Sequence, residues 1–290
     1  MTRAAFDTFL QGKAGPPPLI AFCEKLAGRV NQSGYEALVA DPQLWCNNVA
    51  RTARLLGVDA ASIGFSHADC SAGDVGGGVE RNALEAFDRL KQFEDSWLGC
   101  IAVIAGPAAV AASLSGRVDE ESLAGARQLS ADRVEAFCSR RPSLLLLREN
   151  TILASAGIST ALRKVYSTLR NMANYYNVPI ALYLSGYSGG LLSEVAKLRT
   201  GIVFLGPDQE GQMPGLSTIT ALSHEVGSLS IALPFNEPTK AFAMAQRYLE
   251  VCAGQSIAFH SMGDIPEDAD LEVVRNFVGE FCRHLGELPA

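Results

Sequence analysis

No apolar run in this chain of 290 residues reaches the roughly 18 consecutive residues that a helical membrane span requires, which excludes that class. Positive charge is in deficit. The 24 Lys and Arg stand against 31 Asp and Glu, a net −7, so no general electrostatic attraction to nucleic acid or to an anionic membrane is expected. The seven cysteines (Cys23, Cys46, Cys70, Cys100, Cys138, Cys252 and Cys282) include no CxxC pair and are scattered among apolar neighbours. That pattern fits reduced, buried thiols better than a disulfide framework. The opening stretch MTRAAFDTFLQGKAG lacks an apolar core and carries Asp7, so no export signal is expected and the chain is expected to be cytoplasmic. Linker composition and charge runs are missing too, which predicts one domain over residues 1–290.

What is present is a rhythm. Short apolar runs at Pro18–Phe22, Asp59–Phe65, Cys100–Ala105, Leu144–Leu147, Val178–Leu184, Gly201–Leu205, Ser228–Leu233 and Ser256–Phe259 each precede a helix-like stretch. The runs are continuously apolar rather than alternating, as parallel strands covered on both faces require. Helical signals fall between them. Asp41 and Pro42 open a helix to Leu56, a second runs from Val79 to Trp97, and Ala108–Ser139 is helical with a break near Gly116. Ser159–Tyr176, Leu191–Leu198, a stretch opened by Glu237 and Pro238, and Asp270–Leu285 follow. Eight such units predict an α/β fold of the (β/α)8 TIM-barrel type, whose active site is built from the segments that follow the strands.

Several of those segments carry specific resemblances. Pro17–Phe22 followed by Glu24–Arg29, Leu56–Ala61 followed by Phe65-Ser66, Ile104-Ala105-Gly106-Pro107, Leu182–Gly186 with Leu191-Leu192, and Ile257–Pro266 with Glu272 come in an order that resembles the uroporphyrinogen decarboxylase superfamily. That superfamily also holds cobamide-dependent methyltransferases. Arg29 matches the second arginine of its first motif, and Lys25 stands where the first would be. The resemblance departs at the chemistry. His67 occupies the place of the decarboxylases' central aspartate, with Asp69 two residues on. Tyr183 and Ser185 stand where the methyltransferases have zinc ligands, and Met262 falls where a histidine or a zinc-binding cysteine is expected.

The residues at the ends of the strands are therefore the candidates. His67, Glu149 and His260 are expected to do acid–base work. Lys25, Arg29, Asp69, Tyr183, Ser185, Gly186 and Met262 are expected to hold the substrate. The glycine-rich turn Ser185–Gly190 fits a packing turn or an anion-binding turn, and matches neither a P-loop nor a dinucleotide motif. A relocated metal site would draw on His67, Cys70, Glu149 and His260, but His67-x-x-Cys70 is a single weak pair, and no metal is expected. His224 and His284, on helical segments, are expected at the surface. The resemblance implies a cofactor-free, decarboxylase-type lyase acting on a small, carboxylate-rich or tetrapyrrole-like molecule. Its alternatives are a methyltransferase subunit served by a corrinoid protein, and a non-catalytic binding barrel. It is also compatible with a homodimer paired through the rims.

Overall fold

The computed structural model describes residues 3–30, 32–69 and 78–287. Eight parallel strands close into a barrel in sequence order: β1 Leu19–Ala21, β2 Ala60–Ile63, β3 Gly99–Ala105, β4 Leu144–Glu149, β5 Ile180–Leu184, β6 Ile202–Leu205, β7 Ser228–Leu233 and β8 Ile257–Ser261. β8 pairs with β1 through Phe259 and His260 against Leu19 and Ile20, which completes the ring. Each strand falls on an apolar run that the sequence marks, and the chain is a single (β/α)8 barrel.

Helices surround the ring: α1 Arg3–Leu10, α2 Glu24–Val30, α3 Tyr35–Ala40, α4 Pro42–Leu56, α5 Gly78–Glu94, α6 Pro107–Ser115, α7 Glu120–Cys138, α8 Thr151–Ala156, α9 Thr160–Tyr175, α10 Gly189–Val195, α11 Leu216–Glu225, α12 Pro238–Val251 and α13 Leu271–Glu287. Local chemistry sets their ends. The Asp41 carboxylate accepts from the backbone N–H groups of Gln43 and Leu44, Pro42 starts α4, and Gly57 ends it with φ +76°. The break expected near Gly116 is real. That residue, at φ +73°, ends α6, and a capping box between Asp119 and Ser122 starts α7.

Successive residues of a strand point to opposite faces, so the barrel has two apolar layers. Leu145 and Leu147 of β4 belong to the layer between barrel and helices, while Leu144 and Leu146 belong to the interior with Ile101, Val103, Ala181, Ile202 and Ala258. Helix α1, which the sequence pattern does not single out, closes the N-terminal end of the barrel. Its Phe6 and Phe9 are buried in the interior cluster, and the Phe9 carbonyl accepts from the hydroxyls of Ser228 and Ser256 at 2.7 and 3.2 Å. No helix among the described residues is long and apolar enough to cross a membrane. Five cysteines are buried free thiols, Cys282 is half-buried, and Cys70 lies outside the described residues.

Candidate functional site

At the C-terminal end of β1 the chain turns directly into α2, and this buries the first residue of that helix, Glu24, completely. Its carboxylate accepts three consecutive backbone N–H groups from the turn after β2: Gly64 at 2.5 Å, Phe65 at 3.3 Å and Ser66 at 3.0 Å. Gly64 permits that turn. It has φ +95°, and a Cβ there would lie 2.5 Å from the Val103 carbonyl oxygen. The segment after β8 supplies a second carboxylate. Asp264 accepts from the Ser66 hydroxyl and from the backbone N–H of Lys25. Ser261 fixes this segment, because its hydroxyl accepts from the Phe22 N–H at 2.9 Å and donates to the Gly263 carbonyl at 2.9 Å. Ser66 thus joins the two carboxyls, one through its N–H and one through its hydroxyl.

Burial pushes both carboxyls above the ordinary carboxylate range, and the charge of Asp264 raises Glu24 further. The Glu24–Asp264 pair therefore retains a proton at a pH where two isolated carboxylates would both be ionised. Two cations act on Asp264 from the rim, Lys25 and Arg148, and both lower it. The Arg148 guanidinium, at the end of β4, adds to the lowering that the Ser66 and Lys25 hydrogen bonds and the Lys25 charge exert on Asp264. It donates to the Phe65 carbonyl at 2.5 Å and lies 4.2 Å above the Phe65 ring, with the Tyr183 ring 5.7 Å away.

Beneath this rim the barrel axis is filled by rings. Phe22 and Phe65 stack with centroids 3.8 Å apart, and Tyr183 meets both edge-on at 5.8 and 5.1 Å. His260 lies below them, fully buried, with its ring centroid 5.3–5.7 Å from those of Phe22, Tyr183 and Phe204. Its Nδ1 is 2.8 Å from the Ser230 hydroxyl, and its Nε2 has no hydrogen-bond partner among the described residues. Burial pushes its pKa down to about 3, so the ring is neutral.

The structure places the sequence candidates at the C-terminal end of the barrel but does not gather His67, Glu149 and His260. His67 is half-buried in a 3-10 turn, His67–Asp69, and lines a small cavity off the barrel axis. Asp69 closes the same turn. Glu149 points away from the axis. Its carboxylate accepts from the backbone N–H groups of Ala108 and Ala109, at the start of α6, and from the Tyr166 hydroxyl of α9. Burial raises its pKa to about 7. Gly106 permits the approach, because a Cβ there would lie 2.4 Å from the Glu149 Cδ.

Lys25 is exposed and contributes its backbone N–H to Asp264. Arg29 is exposed and donates to the carbonyls of Glu267 and Ala269, tying α2 to the segment after β8. Tyr183 is part of the interior packing, and Gly186 donates to the Pro207 carbonyl. Ser185 and Met262 are half-buried, and the backbone N–H of Met262 donates to the Leu233 carbonyl. His224 and His284 are exposed, as expected.

Tyr183, Ser185 and Met262 do not fit zinc. A buried phenol, a hydroxyl and a thioether make a poor donor set for that ion. Among the described residues no group of three or more His, Cys, Asp or Glu is gathered to hold a metal. The residues that sequence reasoning did not single out are Glu24, Ser66, Arg148 and Asp264. Glu24, Ser66 and Asp264 follow strands and Arg148 lies near the end of β4, and that position was the available signal.

No family model and no curated protein matches the chain. Solved structures share its fold. A methyltransferase from Methanosarcina mazei is 14% identical, with 97% of this chain and 98% of that one covered and a TM-score of 0.70. A homocysteine methyltransferase from Escherichia coli is 9% identical, with coverage of 92% and 96% and a TM-score of 0.57. A sugar phosphate isomerase/epimerase from Parabacteroides distasonis is 11% identical, with coverage of 94% and 99% and a TM-score of 0.54. At these identities the likeness is one of fold.

Proposed function

We propose that this barrel is an enzyme that removes CO2 from a small, carboxylate-bearing molecule by proton transfer at its rim, without a cofactor. The observation that carries the reading is the convergence of Glu24 and Asp264 on Ser66, beside Arg148. Arg148 pairs with a substrate carboxylate, and its flat guanidinium over Phe65 marks a platform for a planar ring. Asp264 is the more exposed carboxyl and acts as the acid. It donates its proton to the ring carbon that bears the leaving carboxylate. The C–C bond then breaks, its electron pair restores the ring, CO2 departs, and water returns a proton to Asp264. Glu24 is a positioning residue that braces the Ser66 turn, and the proton that the coupled pair retains, with Glu24 raised the higher of the two, reaches the substrate through Asp264. The ring-filled axis favours a small planar acid resting on the Arg148 guanidinium over a whole tetrapyrrole sunk into the barrel.

The test is CO2 release from a panel of pyrrole and benzene carboxylic acids together with a porphyrinogen. Turnover of a small ring acid, with Asp264→Asn lowering kcat by about 10²-fold and leaving Tm little changed, is the expected result. Release of no CO2 from any of them, or full activity in Asp264→Asn, overturns it.

A second reading is methyl transfer with a corrinoid protein as partner, supported by the likeness over 97% of the chain to the Methanosarcina mazei methyltransferase. Demethylation of methylcobalamin on adding the protein and a thiol, seen by absorbance, would put this reading in place of the first. Saturable ligand binding without turnover in either assay would instead mark a binding barrel.

A further inference from the structure

An open cleft of about 550 Å³ lies at the N-terminal end of the barrel, opposite the rim. It is lined by α1, by Lys91 of α5 and by the segments that lead into β4 and β5. That volume falls within the roughly 300–1,000 Å³ of pockets that hold small organic molecules. Leu10, Pro142, Pro179 and the Tyr176 ring give the cleft an apolar surface.

Its charges leave one cation over. Arg3 and Lys91 both bond the Asp95 carboxylate, and Arg3 also pairs with Asp7. Two cations and two carboxylates are thus matched. Arg141, the third cation of the lining, is exposed, and its guanidinium has no partner among the described residues. The Asn177 side-chain amide, on the same lining, is exposed and likewise unbonded among them. Both groups are open to an incoming ligand. In a chain of net charge −7, an unmatched guanidinium above an apolar floor selects an anion over a cation or a neutral molecule.

We infer that this cleft binds a monocarboxylate with an apolar body. The carboxylate takes the fork of Arg141 and a further hydrogen bond from Asn177, and the body covers Leu10 and the two prolines. One surplus cation suits a single negative charge better than the two of a phosphate monoester. Leu10 belongs to α1, so an occupant also ties that helix to the segments before β4 and β5.

The test uses the full chain and hexanoate, followed by amide NMR. It needs no turnover, and an unbranched acid avoids the flat platform at the rim, so its failure and that of the decarboxylase reading are separate. The expected result is saturable shifts at Gln11, Ser143 and Asn177, with Gly64 and Ser66 unmoved. Arg141→Gln weakens binding at least about ten-fold, the scale of a charge-assisted hydrogen bond. That variant retains the fold, because the side chain is unbonded and Gln32 already holds the same left-handed backbone, φ +57° against +53° at Arg141. Asn177→Asp sets a carboxylate in the cleft and abolishes the shifts. Shifts confined to the rim, shifts that never saturate, or equal affinity in Arg141→Gln overturn the site. Binding of 1-hexanol or hexyl phosphate as tight as that of hexanoate overturns the single-charge assignment.

Discussion

Arg148 and Glu149 are neighbours in the chain and face opposite sides of β4, and that one step divides their roles. Arg148 reaches over Phe65 at the rim, whereas Glu149 accepts the first free N–H groups of α6 in a dry layer. Glu149→Gln loses one of those acceptors. It is expected to lower stability by about 1–3 kcal/mol in urea unfolding and to leave rim chemistry unchanged. Loss of activity at unchanged stability would return Glu149 to the catalytic candidates. At Asp264 the expectation concerns pH. The group donates only while protonated, so turnover should fall as pH rises through the elevated pKa of the pair. A profile of kcat against pH that is flat from pH 5 to 9 in the wild type would remove Asp264 as the acid.

At the scale of elements, strands and helices differ in what the sequence announces. Every strand lies within or overlaps its apolar run, since burial on both faces demands continuous hydrophobicity. Helices α4 and α7 announce themselves by side-chain caps. Helices α2 and α8 are short, with 7 and 6 residues, and α11 is preceded by Gly215, which offers no side-chain cap, so nothing local marks them. The rim was legible in position but not in membership. Glu24, Ser66 and Asp264 all fall in segments the pattern marks as following strands. The Ser66–Asp264 bond, however, joins residues 198 apart, and no spacing rule reports it. Nor does Arg148-Glu149-Asn150 reveal which of its side chains faces the axis until the phase of β4 is known. Helix α1 carries a prediction of its own. Phe9 is 2% exposed and meets Phe204 edge-on, so Phe9→Ala should cost about 3–5 kcal/mol. Rim activity per folded molecule should not change. A loss under 1 kcal/mol by denaturant unfolding would mean that α1 does not seal the barrel.

At the scale of the molecule, among the described residues the carboxyls that burial raises outnumber the one histidine that burial lowers, and this sets how stability depends on pH. Burial raises Glu149 from 4.5 and Asp59 from 3.8, each to about 7, and it raises Glu24 and Asp264 in the same direction. Between the unfolded and folded values the native state holds protons that the unfolded chain has released, so stability falls as pH rises through that window. His260, lowered from 6.5 to about 3, acts oppositely, since its contribution is complete above its unfolded value and fades as pH falls toward 3. Four carboxyls against one imidazole make the net slope negative between pH 5 and 8. Melting by calorimetry should show a Tm about 5–10 °C higher at pH 5.5 than at pH 8. A Tm that rises over that range would contradict the assigned burial.

The two hydroxyls that grip the Phe9 carbonyl have a consequence in time. They come from Ser228 and Ser256, residues 219 and 247 positions further along the chain. At roughly 5–20 residues per second of synthesis, those partners emerge on the order of 10 s or more after Phe9 does. Until then the two phenylalanines that close the floor are exposed grease on a nascent chain, so the earliest helix is among the last to find its place. The time that Phe6 and Phe9 wait exposed is thus set by residues more than two hundred positions further along the chain.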